Sequence, residues 1–217
     1  MKLRREKAPA DRRVVWQAAS LLLAYPDHDQ DNRLGVVEAA AGGLAERYRD
    51  PLMSCVGHLR GLAVIAAAAE YVETFDWRRR RTMFLTYYTT GDTRNRGRAL
   101  LEFADVYRAA GVMAPTGELP DHLAVLLEFA ATVDESAGFE MLRRHRTPID
   151  MLHGGLAQAR SPYAGVVAAV SLTLPPATDA DLREARRLAM QGPPVESVGL
   201  EPFALTIGVR ESQAGAR

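Results

Sequence analysis

Apolar residues recur along most of the chain at three- and four-residue spacing, and no segment sustains the period-two alternation of a strand. Breakers cut this pattern into helical segments. Residues 14–25 predict a first amphipathic helix ended by Pro26, and residues 34–48 a second, loosened at Gly42-Gly43. Asp50-Pro51 reads as an N-cap followed by proline at the first position of a third helix. Gly61 interrupts it, and a fresh apolar run fills residues 62–74. No Gly or Pro follows until Gly91, and we place a break near Phe75-Asp76, with Asp76 capping a helix over 77–89. Gly91 then acts as a stop, Asp92 or Thr93 caps a helix over 94–110, and Gly111 ends it. That helix carries Leu100, Phe103, Tyr107 and Ala110 on one face and Arg98, Glu102 and Asp105 on the other. Pro120 opens a helix to residue 133, with Leu123, Leu126, Leu127, Ala130 and Val133 as its inner stripe. Residues 139–146, 149–159, the stretch from Ser161-Pro162 to Pro175-Pro176, and 179–190 complete the set. The expectation is all-α: one helical domain over 14–190 with roughly eight to ten helices. A basic segment, 1–13, is expected to be flexible before it, and an extended or disordered tail, 191–217, to follow.

Composition narrows the function. The 217 residues are 47% hydrophobic and 25% charged, so the chain can bury a sizeable core and is not disordered by default. Lys+Arg 27 balance Asp+Glu 27, which removes any general attraction for nucleic acid or anionic lipid. The basic N-terminus followed by apolar residues 14–24 superficially resembles a signal peptide. Gln17, the Tyr25-Pro26-Asp27-His28 stop and the missing small-x-small pattern favour an amphipathic helix instead. No run approaches the roughly 18 apolar residues of a membrane span. Cys55 is the one cysteine, so the chain reads as reduced and cytoplasmic, with Cys55 a small buried hydrophobe.

Candidate chemistry is sparse. The five histidines are scattered singly, and neither a metal-binding spacing nor a phosphate-binding loop between strand and helix occurs. Gly91-Asp92-Thr93-Arg94-Asn95-Arg96-Gly97 is either a turn and cap or a helix start that attracts an anion. Arg78-Arg79-Arg80-Arg81 step through roughly 300° of a helix and so do not form one patch there. Cations near a helix start oppose its dipole unless Glu73 and Asp76 offset them, which leaves a partner-facing role open for one or two of these arginines. Glu118-Leu119-Pro120-Asp121-His122-Leu123 gathers two acids and an imidazole at an expected helix start. Capping alone explains Asp121; His122 falls at the edge of the apolar stripe, and Asp121 shares a face with Glu128. An unperturbed His122 would change charge near neutral pH. No nucleophile or metal set accompanies this cluster, whereas the polar rim of a peptide groove needs neither.

Tyr71-Val72-Glu73-Thr74-Phe75-Asp76-Trp77-Arg78-Arg79-Arg80, Tyr87-Tyr88-Thr89-Thr90-Gly91-Asp92-Thr93-Arg94 and Glu118-Leu119-Pro120-Asp121-His122-Leu123 occur in order within one stretch from residue 71 to about 131. This ordered set resembles the respiratory nitrate reductase delta subunit family, the NarJ-type molybdenum cofactor assembly chaperones. Gly199-Leu200-Glu201-Pro202-Phe203 resembles the family's end, while Trp77 and Asn95 depart from its pattern, which has a Leu-like residue and an arginine there.

The resemblance implies an all-helical, TorD-like chaperone, related to the redox-enzyme maturation proteins and not an enzyme. It implies binding to the N-terminal segment of the apo nitrate reductase catalytic subunit, held open for molybdenum cofactor and iron–sulfur insertion before membrane docking. No stably bound cofactor is implied, only transient contact with the molybdenum cofactor during transfer and contact with its biosynthesis proteins. An acid-Pro-Asp-His motif in related chaperones' peptide-binding region maps onto Glu118, Pro120, Asp121 and His122. Tyr87, Tyr88, Asp92, Arg94, Asp76, Arg79 and Glu128 complete the expected client-binding set, and Phe84, Leu126 and Phe129 are expected to wall or support the groove. A competing reading is a small-molecule-binding helical regulator or enzyme in which the Asp121/His122 and Asp92/Arg94 regions close over a ligand. A structural subunit of the mature enzyme is a third.

Overall fold

Trp16 is fully buried, and its indole N–H donates to the Thr173 hydroxyl at 2.8 Å, joining the first helix to the end of the tenth. This computed structural model describes residues 8–192 and 194. Among them are eleven α-helices and no strand. The helices are α1 (Ala8–Leu23), α2 (Gln30–Ala41), α3 (Glu46–Arg60), α4 (Val64–Tyr71), α5 (Leu85–Thr90) and α6 (Arg94–Ala109). They continue as α7 (Leu123–Thr132), α8 (Glu135–Arg144), α9 (Arg146–Gln158), α10 (Ala164–Ser171) and α11 (Asp179–Gln191).

Helix α1 is the spine. Val15, Ala18, Ala19, Leu22 and Leu23 are buried against α7, α2, α10 and α3, and each large side chain so buried contributes about 2 kcal/mol. Arg12 lies over the rings of Trp16 and Phe139 and pairs with Glu135, tying α1 to α8. The helix begins at Ala8, ahead of the expected residue 14, so Arg12 and Arg13 of the basic segment are helical. Residues 1–7 and nearly all of the expected tail lie outside the described residues.

Several boundaries differ from expectation for local reasons. Gly42-Gly43 separate α2 from α3 outright, and α3 starts at Glu46, which puts Pro51 inside the helix. Asp50 therefore caps nothing. The break near Asp76 is real but is not made by a cap. The chain widens into a π-helical turn, Val72–Asp76, closed by Trp77 N–H donating to the Val72 carbonyl at 3.2 Å. In place of a helix over 77–89 there is a single 3₁₀ turn, Arg79–Arg81, and then the short α5. Pro120 does not open α7 either: residues 120–121 form a turn, with the His122 N–H on the Leu119 carbonyl at 3.1 Å, His122 enters an isolated bridge, and Val133 of the expected stripe is exposed.

Gly91 ends α5 as expected, at φ +58°, with its N–H on the Tyr87 carbonyl at 2.9 Å. The Pro194 carbonyl occupies the space a side chain there would need.

Candidate functional site

Two chain segments far apart in sequence meet edge to edge. Leu123 N–H donates to the Met83 carbonyl at 2.9 Å and Leu85 N–H to the Asp121 carbonyl at 3.1 Å, an isolated antiparallel bridge centred on Phe84 and His122. The rings of Phe84 and His122 pack edge to face, 5.3 Å apart. One face of this pair opens onto a concavity of about 560 Å³.

Its walls come from four places. Tyr25 follows α1; Tyr71 and Phe75 come from α4 and the π turn; Met83, Phe84 and Tyr87 come from the approach to α5 and from α5 itself; Glu118, Leu119 and His122 come from the loop before α7. Tyr71 donates to the Leu23 carbonyl at 3.1 Å and packs against Tyr25, Phe75 and Tyr163, which anchors this aromatic wall to the core. The π turn matters here. Its widened backbone buries Phe75 and leaves Asp76 exposed at the rim.

The charges in the groove are mixed. Asp76 and Glu118 are close enough that burial and then the Asp76 charge raise the Glu118 carboxyl above its ordinary value. Asp92 pairs with Arg96 one turn on at 2.9 Å, and that guanidinium reaches over the rings of Phe84 and Tyr87 at 5.6 and 5.9 Å. Arg79 completes the lining.

Of the residues expected from sequence, Asp76, Arg79, Tyr87, Asp92, Glu118 and His122 line this one groove. Others do not. Asp121 is fully buried, with one carboxylate oxygen accepting from the Thr86 N–H and hydroxyl, so it caps α5 across the bridge and is not a cap of α7. Pro120 contributes its carbonyl to the Tyr107 hydroxyl at 2.7 Å. Tyr88 points to the far side, its hydroxyl donating to the Arg80 and Thr82 carbonyls. Arg94 is exposed at the start of α6 and outside the lining. Glu128 is on the exposed side of α7, in a separate depression with Tyr107 and Met113, and shares no face with Asp121. Leu126 and Phe129 are core residues. With Asp121 and Arg94 both outside the groove, closure of Asp121/His122 and Asp92/Arg94 over one small ligand has no geometric basis.

The titration expected of His122 is corrected too. Burial pushes its imidazole down to about 4, so it is neutral near physiological pH. The lining residues outside the expected set are Tyr25, Tyr71, Phe75, Thr82, Met83, Leu119 and Arg96. Tyr71, Phe75 and Leu119 stand inside the motifs that carry the resemblance, and Arg96 sits four residues after Asp92.

The arginine run is a second correction. Because the chain there is a turn and not a helix, Arg78 to Arg81 all line one concavity with Trp77.

Among the described residues no group of three His, Cys, Asp or Glu is placed to hold a metal ion, and no helix is long and apolar enough to cross a membrane. Comparison with known proteins gives a consistent answer. A family model described as nitrate reductase delta subunit matches residues 39–169. The nitrate reductase-like protein NarX of Mycobacterium tuberculosis (strain ATCC 25618 / H37Rv) is 49% identical over 160 residues, 74% of this chain and 24% of that protein. The "Probable nitrate reductase molybdenum cofactor assembly chaperone NarJ" of Bacillus subtilis (strain 168) is 30% identical over 155 residues, 71% of this chain and 84% of the relative. The nitrate reductase molybdenum cofactor assembly chaperone NarJ of Escherichia coli (strain K12) is 31% identical over 150 residues, 67% and 63% of the two chains. The chain thus spans about a quarter of the length of the mycobacterial relative and most of the Bacillus one.

Proposed function

The chain belongs to the nitrate reductase delta subunit family, and on that premise we propose that it is a cytoplasmic assembly chaperone for nitrate reductase. In this reading it binds the N-terminal segment of the apo catalytic subunit and holds that subunit open to molybdenum cofactor and iron–sulfur cluster insertion before membrane docking. It carries out no covalent chemistry of its own.

The observation that carries the reading is the groove around Phe84 and His122. Three separated stretches of sequence, each part of the family resemblance, contribute Asp76 and Arg79, Tyr87 and Asp92, and Glu118 and His122 to one lining. Aromatic walls from Tyr71, Phe75, Phe84 and Tyr87 suit the apolar face of a short helix or extended segment. The Asp76/Glu118 pair favours a cationic client side chain, whose charge offsets the burial and the Asp76 repulsion that together raise Glu118. Neutral His122 adds a polar edge without a charge to desolvate. A groove of about 560 Å³ takes up only a few side chains, which fits an affinity modest enough for release. The molybdenum cofactor is cargo for the client in this scheme, and its biosynthesis proteins are the expected donors.

Calorimetric titration with a peptide from the N-terminus of the same organism's nitrate reductase catalytic subunit tests this. Saturable binding absent for a scrambled peptide is expected. Equal binding of both peptides, or none with the protein folded and the peptide soluble, overturns peptide recognition by this groove.

A further inference from the structure

Arg78, Arg79 and Arg80 are exposed and consecutive, and none has a carboxylate within ion-pair distance among the described residues. Arg12, Arg33, Arg49, Arg60, Arg96, Arg108, Arg143, Arg144, Arg146 and Arg187, by contrast, have acidic partners. Like charges held together without counter-charge repel, and that repulsion is relieved when an anion binds.

The turn that holds them is pinned. The buried Tyr88 hydroxyl donates to the Arg80 carbonyl at 3.2 Å and to the Thr82 carbonyl at 3.0 Å. Arg81 reaches back to the Glu73 carbonyl at 3.5 Å. On the opposite side α9 presents Gly155, where an added Cβ would lie 2.8 Å from the Arg80 carbonyl oxygen, so the backbone approach depends on a missing side chain. Together these place the arginines around a concavity of about 340 Å³ whose remaining walls are Trp77, Gln158 and the small residues Gly155 and Ala159. No carboxylate lines it. Trp77 is 75% exposed, a large apolar ring left open to water beside the guanidiniums.

We propose that this concavity is a second binding site, next to the Phe84/His122 groove and sharing only Arg79 with it, for a phosphate-bearing ligand with a planar ring, of the nucleoside diphosphate class. The guanidiniums of Arg78 and Arg80 bind the phosphates, in the planar fork geometry that suits them, and Trp77 stacks on the ring. The size matches the lower end of ligand pockets.

The chain has two tryptophans, and Trp16 is fully buried, so quenching of intrinsic fluorescence by a bound ligand reports Trp77. The full chain is titrated with ADP, adenosine and inorganic pyrophosphate at about 150 mM salt, with an Arg78→Gln/Arg80→Gln variant alongside. Saturable quenching by ADP is expected, at least about fivefold tighter than by pyrophosphate or adenosine and at least about tenfold weaker in the variant. Both positions are exposed, so circular dichroism of the variant is expected to be unchanged, and so is its binding of the client peptide. Pyrophosphate binding as tightly as ADP, no saturation by ADP, or an unaltered ADP titration in the variant overturns the proposal. Displacement of ADP by an equal concentration of a Glu-rich peptide overturns it as well, and assigns the surface to an acidic protein partner.

Discussion

Asp121 and Thr86, 35 residues apart in sequence, are joined by two hydrogen bonds: the Thr86 N–H donates to one Asp121 carboxylate oxygen at 3.0 Å, and the Thr86 hydroxyl donates to the same oxygen at 2.6 Å. Helix α5 has only six residues and cannot stand alone, so its exposed N-terminal N–H groups need an external acceptor. Asp121 supplies it and thereby holds the Phe84/His122 bridge in place. Asp121→Ala is expected to cost about 1–3 kcal/mol, or roughly 2–9 °C in melting temperature for a chain of this size. Thermal unfolding followed by circular dichroism measures this; an unchanged midpoint would show that the cap is unnecessary.

His122 governs a pH dependence of stability. Its folded value of about 4 is below the ordinary 6.5, so the unfolded chain takes up a proton between these values while the folded chain does not. Stability is therefore fully present above about pH 6.5, declines as pH falls, and stops declining below about pH 4. The integrated loss is about 3 kcal/mol from this residue, and His145, also lowered by burial, adds in the same direction. Denaturant titrations at pH 7.5, 5.5 and 4.5 are expected to show that decline, and His122→Gln to flatten part of it. A slope unchanged in the variant would assign the dependence elsewhere.

Two glycines give opposite expectations. At Gly138 in α8 an added Cβ would overlap the Cα and Cβ of Ala130 in α7, and Gly138→Ala is expected to destabilise by about 1–3 kcal/mol. Gly57 in the last turn of α3 has nothing within 4 Å of such a Cβ, and Gly57→Ala is expected to stabilise by about 0.5 kcal/mol. Urea midpoints of the pair check both signs.

Cys55 is fully buried, and burial pushes its thiol up to about 12. Its alkylation by iodoacetamide at pH 8 is expected to be at least about a hundredfold slower in the folded protein than in urea. Comparable rates would mean that the core around α3 opens readily.

In the groove, Phe84→Ala is expected to weaken client-peptide binding about tenfold or more, since the ring contacts both His122 and the Arg96 guanidinium. Glu118→Gln is expected to weaken it for a cationic peptide and to leave a neutral analogue unaffected. Titration calorimetry with both peptides separates an electrostatic contribution from a steric one.

The helical class and most helix ends were legible from residue order, because these follow from interactions within a few residues. Gly61 and Gly91 lie directly after α3 and α5, Gly111 lies just beyond α6, and Pro175-Pro176 separates α10 from α11. The buried stripe of α7, Leu123, Leu126, Leu127 and Ala130, also followed from periodicity. The segments that build the groove were visible in the order of their motifs, and six of the eleven expected site residues line it. Tertiary structure alone decided which way individual polar residues face. Asp121 turns inward to Thr86, Tyr88 turns to the Arg80 carbonyl, and Glu128 is directed away from the groove. Tyr25 and Tyr71, 46 positions apart, become neighbours only when α4 packs near the end of α1. Each outcome depends on which distant chain segment removes water from a group and which one offers it a hydrogen bond. Residue type and local spacing carry no record of that, so the same arginine run that would spread around a helix is gathered into one concavity by a turn pinned through Tyr88 and Gly155.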